Sequence, residues 1–178
     1  MATLGARMVG AMQGDVGTFE EIERDPSAIG QAVTVIVIVG LASLIGNIFR
    51  SGIAAGIGNL IISLIATALW ALLVVVIGTK LMPEPSTKAD FQEAFRVIAF
   101  AASPGVFNVL AIIPFLGVLI SFVISIWTLV VMVVAVRTVL DYTSTARAIV
   151  VCLIGFVIYW IIAFVVLTPL IIGRALVG

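Results

Sequence analysis

The sequence predicts an all-α membrane protein: a five-helix transmembrane bundle preceded by a short N-terminal cytoplasmic amphipathic helix. Three observations support this fold class: 63% of the 178 residues are apolar, only 10% are charged, and the mean hydropathy is +1.36. A soluble domain is about 45–50% apolar and about 25% charged, so this chain has more apolar surface than a soluble fold can bury. Its apolar runs are continuous, which favours helices over the alternating strands of a membrane barrel.

Four charge-free stretches set the expected number of crossings, because a helix needs about 20 residues to cross the hydrocarbon layer. Residues 26–49, 51–79 and 148–173 each have room for one helix, whereas 97–136 has room for two. The sequence around Pro114 predicts a hairpin inside the long stretch, since proline interrupts a helix. The expected membrane domain is therefore 26–178, with crossings at about 27–49, 55–79, 96–113, 116–136 and 147–172.

Residues 1–25 form the one sizeable segment that the sequence places outside the bilayer. Met8 and Met12 recur at helical spacing, which indicates a helix on the membrane surface. Thr18 and Glu21 have the spacing of a capping box, so a second short helix is expected to begin there. The segment lacks the apolar core of a signal peptide, and we expect no cleavage.

The distribution of Lys and Arg predicts the orientation of the chain. Seven of these residues lie in the N-terminal segment and in the second and fourth connections, whereas Arg50 and Arg174 lie on the opposite side. Basic residues are enriched in cytoplasmic loops. We therefore expect the N-terminus in the cytoplasm and, after five crossings, the C-terminus outside.

The connection from Lys80 to Arg96 ends in an amphipathic pattern. Apolar residues from Phe91 to Ile98 recur at i, i+3, i+4 and i+7, which is typical of a helix with one apolar face. We expect this helix to lie at the membrane interface and then turn into the third crossing. Ser103 and Pro104 lie within that crossing and predict a kink.

Most catalytic chemistry is missing from the sequence. There is no histidine, the single cysteine lies in the fifth crossing, and every acidic residue lies outside the crossings. A histidine-dependent triad, a histidine zinc site and an intramembrane aspartyl pair are therefore excluded. We predict that the protein is not an enzyme, with no catalytic residue, metal site or cofactor, and no basic face for nucleic acid.

The candidate functional residues are therefore contact residues. Two helices with mixed faces on the cytoplasmic side supply the candidates for partner contact: Phe19, Glu20, Glu21, Ile22, Glu23, Phe91, Phe95 and Arg96. Residues inside the crossings supply a second set of candidates: Asn47, Asn59, Asn108, Ser103 and Pro104. The polar groups of this second set could form a polar path or a lipid-headgroup site, although hydrogen bonding between helices is their commoner role.

Two functions remain open at this point. The first is a non-enzymatic accessory, scaffold or membrane-organising protein that acts through contacts with lipid or other membrane proteins. The alternative is a small channel or carrier for a neutral or lipidic solute, which the intramembrane Asn residues favour. Small-residue spacing, as between Gly52 and Gly56, would also permit self-association.

Two segments carry a resemblance to a known family: residues 15–32, DVGTFEEIERDPSAIGQA, and residues 91–137, FQEAFRVIAFAASPGVFNVLAIIPFLGVLISFVISIWTLVVMVVAVR, continued by TSTARAIVV. They resemble the Yip family of Ypt/Rab-interacting membrane proteins in its short prokaryotic form. The resemblance implies a five-helix membrane domain with a cytoplasmic N-terminus, in the cytoplasmic (plasma) membrane of a prokaryote.

The eukaryotic members of that family are linked to vesicle traffic and small GTPases. They have a long cytoplasmic N-terminal region, and they show Tyr-Gly-Tyr-Ser-type residues in the middle helices. This chain has only a short N-terminal segment, and Phe100-Ala101-Ala102-Ser103-Pro104-Gly105 at the corresponding place. The sequence therefore argues against a small GTPase as partner.

Overall fold

The fold is a bundle of helices, as the sequence predicts. The computed structural model describes residues 2–113 and 115–177, and their side chains except those of residues 50, 51 and 166–177. Within these residues there is no strand, and five helices are long and apolar enough to cross a membrane. The predicted fold class, an all-α membrane protein with five spanning helices, is confirmed.

Two short helices, α1 (Leu4–Met12) and α2 (Val16–Arg24), form a hairpin that packs on the bundle. The carboxylate of Asp15 caps α2 by accepting a hydrogen bond from the Thr18 amide at 2.8 Å. The predicted cap at Thr18 is therefore wrong, and the helix begins earlier. Gly14 makes the turn between the helices with a φ of 69°, a conformation that glycine adopts without steric cost.

The first two spanning helices are α3 (Ala28–Phe49) and α4 (Gly52–Leu81), and they fold back on each other. Gly52 has a φ of 75° and breaks what is otherwise one helical run. Gly40 lies against Leu60 and Gly56 lies against Leu44, so the two helices are antiparallel neighbours. The last turn of α4, Ile77–Leu81, is a π-helix.

The third spanning helix, α5 (Phe91–Ile112), is the central one. In its most apolar stretch of 18 residues, 61% of the residues are buried, compared with 17–28% in the corresponding stretches of the other four spanning helices. It is α-helical over Phe91–Ala101 and 3-10 helical over Ser103–Ile112. The expected interface helix at 91–98 is thus continuous with the crossing, and the predicted disturbance at Ser103 and Pro104 is a change of winding, because proline lacks an amide donor.

The last two spanning helices are α6 (Gly117–Val139) and α7 (Thr145–Val177), and Thr145–Val165 of α7 is long and apolar enough to cross a membrane. A hairpin connects α5 and α6, but its predicted centre, Pro114, lies outside the described residues. Gly117 begins α6 directly against the carbonyl of Ala111, where a Cβ atom would overlap it. The core lies around α5 and includes buried residues of α1, α2, α3, α4, α6 and the start of α7. Many of the described outward side chains of α6 and α7 are apolar and exposed.

Candidate functional site

Every charged side chain that the structure describes belongs to a segment at one end of the bundle. This charged end comprises residues 4–25, which include α1 and α2, together with residues 80–96 and residues 137–147. The Ser86 hydroxyl donates to the carbonyl of Asp141 at 3.0 Å, and the Thr143 amide donates to the Glu84 carboxylate at 3.0 Å. Arg147 pairs with the same carboxylate at 3.3 Å. The segments therefore form one connected surface, and hydrogen bonds from Thr143 lower the pKa of Glu84.

Arg7 is the most buried charged group of this end, with 1% of its side chain exposed. Its guanidinium lies 2.5 Å from the carboxylates of both Glu21 and Asp25, and donates to the Gln31 amide oxygen at 2.8 Å. The pKa of Glu21 falls because of Arg7, and that of Asp25 falls to about 2 through hydrogen bonds from Ser27 and Arg7. Arg7 thus holds α1, α2 and the start of α3 together.

Arg96, a predicted partner contact, is instead buried, with 4% of its surface exposed, and bonds to residues of the same chain. Its guanidinium donates to the carbonyl of Ile22 at 3.3 Å and to that of Glu23 at 2.5 Å. Carbonyls in the last turn of a helix have no partner within that helix. Arg96 supplies those partners from α5, and so it is not available to another molecule.

The apolar part of the predicted contact face on α2 is also internal. Phe19 and Ile22 are fully buried against the bundle, because a short amphipathic helix covers its apolar stripe with the nearest apolar surface. Glu20 and Glu21 keep part of their carboxylates exposed, and Glu20 pairs with the exposed Arg24 at 2.8 Å.

The two aromatic candidates on α5 differ in exposure. Phe91 is 42% exposed, whereas Phe95 packs partly against the core. Their ring centroids lie 6.1 Å apart. Phe91 therefore remains an accessible apolar group at the charged end.

Glu23 lines a cleft of about 320 Å³ at the charged end, together with Arg137, Asp141 and Tyr142. Burial raises the pKa of Glu23 to about 7, and the nearby carboxylates of Asp141 and Glu93 add to the rise. The Tyr142 hydroxyl donates to the carbonyl of Met82 at 2.7 Å, so it fixes the end of α4 to this cleft. No pattern in the sequence indicates this proximity, because these residues are far apart in the chain.

A second cavity, of about 460 Å³, lies between α3 and α4 and reaches Ala102 of α5. We call it the polar groove, after the polar side chains in its lining: Ser43, Asn47, Asn59, Ser63 and Thr67. It brings together two of the predicted intramembrane residues, Asn47 and Asn59. The other three lie elsewhere: Ser103 and Pro104 are buried in α5, and the Asn108 carbonyl packs against Gly46.

The polar groups of the groove are bonded mainly to their own helices. The Asn47 amide donates to the carbonyl of Ser43 at 3.0 Å, and the Thr67 hydroxyl donates to that of Ser63 at 2.8 Å. Among the described residues, no hydrogen bond reaches the side chain of Asn59. The groove therefore presents uncharged donors and acceptors. No cluster of three potential metal-ligating acidic or cysteine side chains occurs in the described part of the chain.

Comparison with known proteins identifies the family. No curated protein and no solved structure matches the chain. The family model described as the Yip1 domain matches residues 15–165, from the cap of α2 into α7. The match covers most of the chain and all five apolar helices. The chain therefore belongs to the Yip1 family and is a multi-pass membrane protein.

Proposed function

We propose that this Yip1-family protein acts without catalysis, as an accessory, scaffold or membrane-organising subunit that makes its contacts at the charged end. The observation that carries the proposal is the burial of Arg7 and Arg96, which attach α2 to α1, α3 and α5. A surface fixed in advance loses little conformational entropy when a partner binds.

The accessible groups of this surface define the partner it would suit. Glu20 and Glu21 expose carboxylate, and Phe91 exposes an aromatic ring on the following element. Aromatic anchors with a charged rim are typical of protein contact surfaces. The proposed partner is therefore another membrane protein with a basic cytoplasmic segment.

The proposal includes an orientation in a prokaryotic plasma membrane. Lys80, Lys88, Arg137 and Arg147 all belong to the charged end, and such residues favour the cytoplasm. The variants Ser86→Cys and Phe115→Cys, each made in a Cys152→Ser background, are labelled with a membrane-impermeant thiol reagent in sealed vesicles. The two cysteines are expected to react from opposite faces of the membrane. Reaction of both from the same face would contradict the orientation.

The contact role is tested by co-purification from native membranes. Glu20→Lys, which leaves the buried Arg7–Glu21 pair intact, is expected to remove a specific co-purifying protein. Lys88→Glu, an exposed charge reversal in a connection at the same end, serves as the matched control and is expected to retain it. If the amount of co-purifying protein is the same for both variants and the unmodified protein, or if no specific partner co-purifies, the result would count against the proposal.

The polar groove favours a second candidate function, a small channel or carrier for a neutral or lipidic solute. None of the lining residues that the structure describes is charged, which fits a neutral solute better than an ion. Flux of glycerol into reconstituted vesicles is expected to fall in an Asn47→Leu, Asn59→Leu variant. Flux equal to that of the unmodified protein would rule out transport of this solute through the groove.

A further inference from the structure

The polar groove runs along the bundle from the end opposite the charged end. Asn47 and Gly52 line it close to the turn between α3 and α4. Thr67 lines its inner part, about 22 Å from Gly52 along α4 at about 1.5 Å per residue. The polar lining therefore reaches beyond the middle of a hydrocarbon layer about 30 Å thick.

The groove does not continue to the charged end. Ile36, Val39 and Ala102 line its inner part. Val35, Val74 and Val97 beyond them are fully buried in the core. A polar molecule that enters from the far end therefore meets tightly packed apolar side chains, so the groove ends inside the bundle and can hold a ligand there.

The chemistry of the lining sets the charge of the occupant. An amide without a partner in hydrocarbon costs several kcal/mol, and Asn59 has no bond from the described part of the chain. An ion would lose its hydration without meeting an opposite charge among the described lining residues. The occupant that fits is therefore uncharged and carries hydroxyl or ester oxygens.

The surroundings of the groove indicate that this occupant has acyl chains. Leu41, Ile45, Ile57 and Ile61 lie on the same two helices as the lining residues and are exposed on their outer faces. In a bilayer these faces contact lipid tails. A molecule with a polar head in the groove can lay its chains along them without exposing apolar surface to water.

We infer that the polar groove binds the head group of an uncharged, hydroxyl-bearing glycerolipid, of the diacylglycerol type, from the leaflet opposite the charged end. The inference goes beyond the proposed function, which concerns contacts at the charged end. Asn47 and Asn59 hydrogen-bond the glycerol hydroxyl and ester oxygens, and the acyl chains lie outside on α3 and α4.

The test uses the full-length protein in vesicles of phosphatidylethanolamine and phosphatidylglycerol with a trace of photoactivatable diacylglycerol. Crosslinked residues, mapped by mass spectrometry, are expected to concentrate between residues 36 and 67. Asn47→Leu with Asn59→Leu is expected to lower the labelling of this region about tenfold, which corresponds to about 1.4 kcal/mol. The control Ser125→Ala removes an exposed hydroxyl of α6 that bonds to its own helix, and labelling is expected to be unchanged.

Two further comparisons keep the inference falsifiable. Asn59→Gln retains an amide, and its labelling is expected to exceed that of Asn59→Leu. Both variants change one side chain at an exposed position, so both are expected to fold. Unlabelled diacylglycerol is expected to compete, whereas added phosphatidylglycerol is not. Even labelling of all lipid-facing helices, or equal competition by the anionic lipid, would overturn the inference. Co-purification at the charged end is independent of these results, so the two proposals can fail separately.

Discussion

The charged end and the polar groove satisfy their polar groups in opposite ways. At the charged end, Arg7 bonds to residues of α2 and α3, and Arg96 in α5 bonds to the last turn of α2. In the groove, Asn47 and Thr67 bond to carbonyls of their own helices. Polar groups bonded across elements hold a fold together, whereas those bonded locally leave their outer faces available to a ligand. The buried arginines therefore fix the surface at which the proposed partner would bind, and the locally bonded groups of the groove leave it open to the proposed ligand.

The largest effect is expected for Arg7→Met, which keeps much of the volume but leaves Glu21 and Asp25 without their partner. Breaking a buried ion pair costs about 3–5 kcal/mol, and the partial exposure of Glu21 places the expected loss near about 3 kcal/mol. Thermal unfolding in detergent and proteolysis in the turn at residues 13–15 measure it. A loss of less than about 1 kcal/mol in the free energy of unfolding would show that Arg7 is not the main interaction that attaches α1 to the bundle.

A similar but smaller effect is expected for Gly46→Val, because any Cβ there overlaps the carbonyl of Asn108. Overpacking of this kind costs about 1–3 kcal/mol. Gly58→Ala is the matched control, since a Cβ at Gly58 meets nothing within 4 Å, and alanine favours a helix by about 1 kcal/mol. Thermal unfolding should therefore separate the two variants in opposite directions, and equal midpoints would contradict the close packing of α3 on α5.

Arg96→Leu is expected to destabilise the attachment of α2 by about 2 kcal/mol, since hydrogen bonds to charged groups contribute about 1.5–3 kcal/mol. The change leaves the carbonyls of Ile22 and Glu23 without partners from α5. Hydrogen exchange of α2 amides measures the effect locally. Exchange that is unchanged in α2 would show that apolar packing of Phe19 alone holds the helix.

Glu23 predicts a pH dependence of stability. Its folded-state pKa is raised from 4.5 to about 7, so the folded protein binds this proton more tightly than the unfolded chain. The resulting stabilisation is fully present below about pH 4.5 and is lost as the pH rises through 7. Because the side chain is half-exposed, we expect Glu23→Gln to stabilise the protein by only about 1 kcal/mol at pH 8, and to be neutral near pH 5. A stabilisation independent of pH would contradict the assignment.

The smallest effect is expected for Arg24→Ala, which removes the exposed pair with Glu20. Such surface pairs contribute about 0–1 kcal/mol and weaken with salt. Unfolding midpoints in low and high salt measure the contribution. A loss comparable to that of Arg7→Met would erase the distinction between buried and exposed ion pairs at this end.

The five spanning helices could be predicted because long charge-free stretches have few alternatives in a bilayer. The placement of Asn47 and Asn59 in one groove could not be predicted. It depends on a left-handed conformation at Gly52, which a glycine permits but does not require. Phe19, Ile22 and Arg96 were expected to face a partner because the pattern of an amphipathic helix does not say which surface covers its apolar side. Here the covering surface belongs to the same chain, and Arg96 reaches carbonyls more than 70 residues away.

The indole of Trp127 donates to the carbonyl of Met12 at 2.8 Å and stacks on Phe107 with ring centroids 5.6 Å apart. This bond supplies a natural optical probe for the seating of the N-terminal hairpin. In a variant with Trp70 and Trp160 replaced by Phe, the emission of the remaining fluorophore would respond whenever α1 leaves α6. The spectrum of an otherwise unlabelled protein could then show, in real time and in intact vesicles, whether a partner or a change in lipid composition lifts the hairpin away.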